Sequence, residues 1–579
     1  MTGRHAAKPL DVGSGAACAS FAPDTAAWLS IGAPHPGHGF VELAAVPAFD
    51  ERDRGDPAAT RRHRASLAAS QYAFLAVSGP AVPRRLIPDM SDPVRPCWRG
   101  DGVSAAAWTD RDATTILQRW ESVGGFHITL QGTLDRPALA EITELDPPRR
   151  TGAVTTLRSD GAIASIEAAA LPARVVVELS RGTWNVEGGR ATAEVDAGSL
   201  ELRVTIGEAA TGSATHAASD LDPDPLVARG LAYVRGCTAL RTAGDERTIL
   251  TDHRLLPLSW TRDAYFQALL LLTADGRGDR ERVADHLRWL WRRCDRPDGR
   301  WVRSHHADGR RKDLAFQADQ QLYPIVELAD YWRLAGELPD GVDWRSELPR
   351  AWRAALEEID PASGLMASTE NAADDPAGAP FIGASQILLW YAARRAAELA
   401  GHLGADPERY LRSAHAAREA FARHFAAGAE PWPYAVDAAG ARIAYHDAND
   451  LPVALAPLWG FCSADDPGWR ATMAFAFSTA NPAWFEGMRP GLGSAHTPAP
   501  WTLGEVQAWI CATVQGDAAA ADAAIRRLME VAFLDGMLPE AYAADGETRI
   551  RHWFAWPGAA YGALRLLERH GRLDALHVG

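Results

Sequence analysis

Apolar and polar residues follow two different rhythms along this chain. From about residue 25 to residue 215 they alternate over short distances. The stretches Arg174-Val175-Val176-Val177-Glu178-Leu179 and Leu200-Glu201-Leu202-Arg203-Val204-Thr205-Ile206 are β-branched and half polar, the period-two pattern of a strand with one buried face. Gly-rich turns such as Glu187-Gly188-Gly189-Arg190 and Ser159-Asp160-Gly161 separate them at hairpin spacing. The pattern predicts an antiparallel β-sandwich over residues 25–215, behind a flexible N-terminus of residues 1–24. Residues 209–225 (AATGSATHAASDLDPDP) are small, polar and Pro-bearing, and the linker is placed at 216–225.

From residue 226 onward the period becomes helical. Apolar residues recur at i, i+3 and i+4 over 264–272, 282–291, 316–334 and 384–403, and again over 409–425, 467–478, 503–514, 518–534 and 558–567. Loops such as Arg296-Pro297-Asp298-Gly299 divide them. About ten to twelve helices in one continuous stretch suit a ring of inner helices backed by outer ones, and no motif repeats at the fixed period of a solenoid. The expected fold is therefore multidomain: an N-terminal antiparallel β-sandwich followed by an all-α (α/α)6 toroid over 226–579. Long loops at one end of such a toroid form the floor of a site.

Length and charge narrow the function. A chain of 579 residues exceeds one ordinary domain, since domains run to about 150 residues. Its 74 acidic residues outnumber 59 basic ones, for a formal net charge of -15, which disfavours a phosphate backbone as partner. No run approaches the roughly 18 apolar residues of a membrane span. The first twenty residues lack the charged-then-apolar layout of a signal peptide, so a cytoplasmic location is expected. The six cysteines are scattered with no C-x-x-C pair, and free buried thiols are the expectation. His305-His306 reads as exposed loop, and no convincing metal-ligand cluster is present, so neither metal nor cofactor is expected. The lysines are Lys8 and Lys312 alone, so nearly all positive charge is Arg. Tryptophan, at 21 residues, exceeds both phenylalanine and tyrosine. Part of that is core packing, but an indole face is also a platform for the apolar face of a pyranose.

Four loop segments are richer in polar and aromatic residues than connectors need. The first is Leu258-Ser259-Trp260-Thr261-Arg262-Asp263, where an Arg and an Asp side by side can grip two neighbouring sugar hydroxyls, one donating and one accepting. The plainer alternative is an Asp helix cap beside a surface Arg. The second is Ser368-Thr369-Glu370-Asn371-Ala372-Ala373-Asp374-Asp375-Pro376, for which an acidic solvated loop is the more usual reading. The third is Tyr445-His446-Asp447-Ala448-Asn449-Asp450. The fourth joins Leu538-Pro539-Glu540-Ala541-Tyr542 to Arg551-His552-Trp553-Phe554-Ala555-Trp556. The second and fourth each offer a carboxyl. A glycosidase needs two, one protonated to meet the leaving oxygen and one ionised to activate water or attack carbon.

On these residues the chain resembles glycoside hydrolase family 125, the metal-independent exo-α-1,6-mannosidases. The resemblance spans about residues 226–570. It rests on Trp260-Thr261-Arg262-Asp263, Asp319-Gln320-Gln321-Leu322-Tyr323-Pro324, Asp374-Asp375 ten residues before Ser385, and Asp447-Ala448-Asn449. It continues through Asn481-Pro482-Ala483-Trp484-Phe485, Gly491-Leu492-Gly493-Ser494-Ala495-His496-Thr497, Leu538-Pro539-Glu540 and the segment from Arg551 to Trp556. The resemblance implies an inverting, metal-independent hydrolase acting on an oligosaccharide or glycoside. It implies Glu540 as the general base and one of Asp374 and Asp375 as the general acid. Trp260, Arg262, Asp263, Asp319, Asp447, Asn449, His496, Trp553 and Trp556 would bind the terminal sugar. The flanks of the acid and base, Ala-Asp-Asp-Pro and Pro539/Ala541, depart from the family pattern, and so does the β-rich region. Glucoamylase-like hydrolases often place such a sandwich before the toroid, so a glucoamylase-like α-glucosidase and a non-catalytic sugar-binding protein stand as alternatives. The β-region itself reads as a structural lid, or else as a carbohydrate-binding module.

Overall fold

The computed structural model describes residues 8–47, 49, 56–141, 154–207, 222–276, 278–426, 428–545 and 549–578. The chain divides into two compact units. One is Ala7–Ser259 with His305–Lys312, and the other is Trp260–Ser304 with Asp313–Gly579.

The first unit is rich in antiparallel strands. Leu171–Leu179 shows why: Leu171, Ala173, Val175, Val177 and Leu179 are buried while Pro172, Arg174 and Glu178 are exposed, so its alternation gives the strand one dry face. Eight strands form one sheet in the order Thr155–Asp160, Ile163–Ala168, Leu171–Leu179, Gly198–Ile206, Thr115–Ser122, Val103–Thr109, Cys97–Gly100, Ile87–Asp89. A nine-stranded sheet begins at Leu10–Gly13 and Cys18–Phe21 and runs on through Trp28–His35. Trp28, Ile31 and Val41 of this sheet share one apolar core with Trp120, Val175 and Leu202 of the other. A buried Gln118 joins the two, accepting from Trp28 Nε1 at 2.7 Å and donating to the Ala26 carbonyl at 2.6 Å.

Three expectations change here. Residues from Leu10 onward are not part of a flexible terminus. Asp11 is fully buried and takes Lys8 Nζ at 2.6 Å, Ser20 Oγ at 2.8 Å and His253 Nε2 at 3.1 Å, and a charge so placed is held only by such partners. Burial opposes its charge, but Lys8, His253 and Arg229 together drive its pKa far below the usual carboxylate range. His305-His306 is not an exposed loop either. Both residues are buried in a short strand paired with Leu258–Ser259, and His306 Nδ1 lies 3.7 Å from Glu141. Finally, helices α1 (Pro57–Leu67) and α2 (Pro225–Tyr233) belong to this unit. Asp224 caps α2 by accepting from Leu226 N and Val227 N. Most of the proposed linker at 216–225 lies outside the described residues.

The second unit is helical. Among the described residues it holds α3 (Thr261–Ala274), α4 (Asp279–Arg288), α5 (Ala318–Ala335), α6 (Trp344–Leu356), α7 (Gly383–His402), α8 (Glu408–His424), α9 (Leu451–Trp459), α10 (Pro467–Ala476), α11 (Thr502–Val514), α12 (Ala518–Val531) and α13 (Ala555–Arg569). The odd-numbered members pack in sequence, α3 on α5, α5 on α7, α7 on α9, α9 on α11 and α11 on α13, and α13 returns to α3. The sequence accounts for the two classes. α3 (TRDAYFQALLLLTA) is buried on every side from Thr261 to Thr273. α8 buries only Tyr410, Ala414, Ala417, Ala420 and Phe421, and α12 only Ala521, Ala524, Leu528 and Val531, one stripe each at helical spacing. The periodicity reading passed over α6 and α9. Pro349 interrupts α6, while α9 has nine residues with Pro452 at its start and Pro457 inside, so neither gives a long clean period.

Candidate active site

Nearly every candidate residue stands in the first turn of an odd-numbered helix or in the loop before one. Arg262 and Asp263 open α3, Asp319 opens α5, and Asp374 and Asp375 precede α7. Asp447 and Asn449 precede α9, His496 precedes α11, and Trp553 and Trp556 flank the start of α13. Helix N-termini present unpaired N–H groups and a partial positive charge, so carboxylates are favoured there.

Arg262 is the hub. Its Nη1 donates to Asp319 Oδ2 at 2.8 Å and to Gln317 Oε1 at 3.1 Å. Its Nη2 lies 3.8 Å from Asp374 Oδ1 and its Nε 3.5 Å from Asp263 Oδ1. The guanidinium carbon sits 5.0 Å from the Trp556 ring, a cation–π contact. Burial works against the charge, but Asp319, Asp263 and Asp374 outweigh it and raise the Arg262 pKa. Thr261 and the α3 backbone fix the approach: Arg262 N donates to Gln320 Oε1 at 3.2 Å and Thr261 Oγ1 to the Gln320 carbonyl at 2.9 Å. Asp263 is therefore not a helix cap. The cap position belongs to Trp260, whose extended backbone makes no side-chain capping bond. Trp260 is itself buried, as is the Trp556 indole.

The loop before α7 is compact rather than solvated. Asn371 Oδ1 accepts from Ala373 N at 2.9 Å and Asp375 N at 3.0 Å, and Asp374 takes the left-handed conformation at φ +64°, which Asp tolerates better than most residues. This turn sends the two aspartates in different directions. Asp374 Oδ1 accepts from Gln317 Nε2 at 2.6 Å and faces Arg262. Asp375 Oδ1 lies 3.1 Å from His496 Nδ1. Glu370, on the same loop, takes Arg303 Nη1 at 2.9 and 3.0 Å on its two oxygens and Gln317 Nε2 at 3.2 Å. Burial raises its pKa, with Arg303 pulling the other way and Asp374 adding to the rise.

Asp447 and Asn449 form a brace. Asn449 Nδ2 donates to Asp447 Oδ1 at 2.7 Å and Tyr445 Oη to Asp447 Oδ2 at 2.5 Å. Tyr445 Oη in turn accepts from Ala495 N at 2.9 Å, tying this loop to the segment that bears His496. Asp450 is buried beside them, and burial together with Asp447 and Asp319 raises its pKa well above the usual range. That segment reaches its place because Gly493 has no Cβ; one added there would lie 1.8 Å from the Ala499 carbonyl oxygen.

Glu540 is buried on the strand Pro539–Tyr542. Thr502 Oγ1, at the start of α11, donates to the Pro539 carbonyl at 2.6 Å, Trp501 bridges to Ala541, and Pro539 stands opposite Trp553 on the partner strand Arg549–Trp553. The link between Glu540 and the remaining candidates thus runs through its strand. Sequence reading missed Gln317 and Arg303 as site residues and named Glu370 and Tyr445 only as members of their loops. Gln317 is neutral, and its one signal was its position just ahead of Asp319-Gln320-Gln321.

Residues 352–566 match the family of metal-independent α-mannosidases, glycoside hydrolase family 125. Over that stretch the chain resembles a glycoside hydrolase of family 125. The match takes in Asp374, Asp375, Asp447, Asn449, His496, Glu540, Trp553 and Trp556, while Arg262, Asp263 and Asp319 lie upstream of it. Two solved structures are similar to this chain in fold. A metal-independent α-mannosidase of Streptococcus pneumoniae, solved in a non-productive complex with α-1,6-mannobiose, is 18% identical with a TM-score of 0.50, over 59% of this chain and 93% of its own. A bacterial glucoamylase solved with acarbose is 11% identical with a TM-score of 0.65, over 99% of this chain and 95% of its own. A search of curated protein sequences returns no match. Among the described residues, no helix is long and apolar enough to cross a membrane.

Proposed function

We propose that the protein is an exo-acting, inverting glycoside hydrolase that removes a terminal α-linked mannose. The six mutually packed inner helices read as an (α/α)6 toroid, with the site at their N-terminal ends. The single observation that carries the reading is the cluster of Asp263, Asp319 and Asp374 around the buried Arg262 guanidinium over Trp556. Four charged groups of fixed orientation beside an indole suit a ring of hydroxyls with one apolar face. Trp260, Asp447, Asn449, His496 and Trp553 complete the sugar-binding set. Glu540 is the base that activates water and Asp374 the acid that protonates the leaving oxygen. Asp374 is chosen over Asp375 because it faces the Arg262 hub, whereas Asp375 pairs with His496. The family match favours mannose, and the α-1,6-mannobiose bound by the Streptococcus pneumoniae neighbour names the first substrate to try. An α-glucoside is the second reading, because the glucoamylase fold covers both units of this chain. Six free cysteines suit a reducing compartment, and a cytoplasmic location is part of the proposal.

The test compares Asp374→Asn, Asp375→Asn and Glu540→Gln on mannobiose, maltose and an aryl α-mannoside with an acidic leaving phenol. Asp374→Asn should lose mannobiose hydrolysis by about a hundredfold or more yet keep the aryl substrate, whose departure needs no proton. Glu540→Gln should lose both. Equal loss on both substrates for Asp374→Asn, or preference for maltose, would overturn the corresponding part of the reading.

A further inference from the structure

The Gln317 side chain occupies an unusual position for a neutral group. It is fully buried at the residue before α5. Its Oε1 accepts from Arg262 Nη1 and Gln320 Nε2, both at 3.1 Å, and its Nε2 donates to Asp374 Oδ1 at 2.6 Å and to Glu370 Oε2 at 3.2 Å. All four hydrogen-bonding positions of the amide are taken. Turning it over would set its NH2 against two donors and its carbonyl oxygen against two carboxylates, so one orientation is fixed. Glu370 is anchored on its far side by Arg303, which also binds Asp313 Oδ2 at 2.5 Å. The result is a continuous chain: Arg303, Glu370, Gln317, Asp374.

We infer that Gln317 and Glu370 form a carboxylate–amide–carboxylate bridge that positions Asp374 and sets the pH at which it gives up its proton. The inference rests on the reading of Asp374 as the general acid. The charged groups facing Asp374 are Arg262 and Arg303, the carboxylates Glu370, Asp319 and Asp263 gathered round those guanidiniums, and the Asp375–His496 pair beside it in the loop. The two members of the bridge act on Asp374 with opposite sign. The Gln317 N–H stabilises the charged carboxylate and favours release of the proton. Glu370 is a like charge across a shared amide and favours its retention. The same like-charge effect is seen from the other side, where Asp374 contributes to the raised pKa of Glu370. Oδ1 of Asp374 is occupied by Gln317, which leaves Oδ2 to hold the proton for the leaving oxygen.

Opposite signs give a test that a purely structural role would fail. The general acid must be protonated, so its pKa sets the alkaline limb of the kcat/KM profile. In Glu370→Gln the like charge goes while the size stays, and the alkaline limb should move to lower pH by about half a unit to one unit. In Gln317→Ala the donor goes, and the limb should move to higher pH by a similar amount. Both variants should retain turnover of the aryl α-mannoside with an acidic leaving phenol more fully than that of mannobiose. If Gln317→Ala fails to fold, Glu370→Gln decides alone. An alkaline limb unmoved in Glu370→Gln, with Asp374→Asn still inactive on mannobiose, overturns the bridge and leaves the acid assignment standing. Wild-type hydrolysis of mannobiose by Asp374→Asn overturns the acid assignment and the bridge with it.

Discussion

Arg262 keeps its charge where water scarcely reaches, its side chain being 5% exposed, and this is affordable only because carboxylates and an amide surround it. Removing it would leave Asp319, Asp263 and Asp374 facing one another without compensation, a change that costs about 3–5 kcal/mol for a buried pair. Arg262→Lys keeps the charge but reaches one partner at a time, since an ammonium lacks the planar fork that spans Asp319, Gln317 and Asp374. The expected outcome is a folded protein, checked by circular dichroism, with lowered thermal stability and sugar affinity reduced at least tenfold in calorimetry. Wild-type affinity in Arg262→Lys would contradict the role assigned to the fork. At this scale the sequence was legible where charge marked the residue, as in Trp260-Thr261-Arg262-Asp263 and the aspartate doublet, although neither motif is specific by itself. Gln317 was not, because a neutral amide becomes distinctive only through what it touches. His305-His306 misled in the other direction, being read as exposed loop where a paired strand and Glu141 enclose it.

At the scale of elements, the inner helices carry both the core and the site, and that double duty appears in α5. Asp319 at its start pairs with Arg262, whereas Glu327, two turns on, is buried with His286 Nε2 3.7 Å from its carboxylate. Burial, with a smaller contribution from Asp330, raises the Glu327 pKa well above its usual value. The folded protein therefore holds a proton that the unfolded chain releases at about pH 4.5. Stability from this group is fully present below that pH and is lost as pH rises toward the folded value. Glu327→Gln keeps the shape and removes the titration. Its melting temperature should exceed that of the parent at pH 8 and match it near pH 4, and an equal difference at both pH values would contradict the assignment. Helical period made most of these elements readable, and the failures at α6 and α9 share a cause: internal proline and short length blur the period, while packing against neighbours still holds the helix.

For the molecule as a whole, the two rhythms of the sequence correspond to two compact units, but their boundary does not follow the change of rhythm. The segment from Pro225 to Ser259 belongs with the strands, and His305–Lys312 joins them from within the helical stretch. A chain beginning at Trp260 loses Leu258–Ser259, the partner of His305–His306, and exposes unpaired strand edges. It should be insoluble or aggregate on size-exclusion chromatography, where a monodisperse, active fragment would show that the helical unit folds without that pairing. The position of the boundary was not legible because short strands such as Leu258–Ser259 have no period to read; only their partners define them.

The proposed reaction is a single displacement in which water, activated by Glu540, attacks a terminal α-mannoside while Asp374 protonates the departing oxygen. It is tested by proton NMR of the mannose first released from an aryl α-mannoside, whose leaving phenol carries no anomeric centre of its own. β-Mannose is expected as the initial anomer, appearing before mutarotation. Initial release of α-mannose would contradict it.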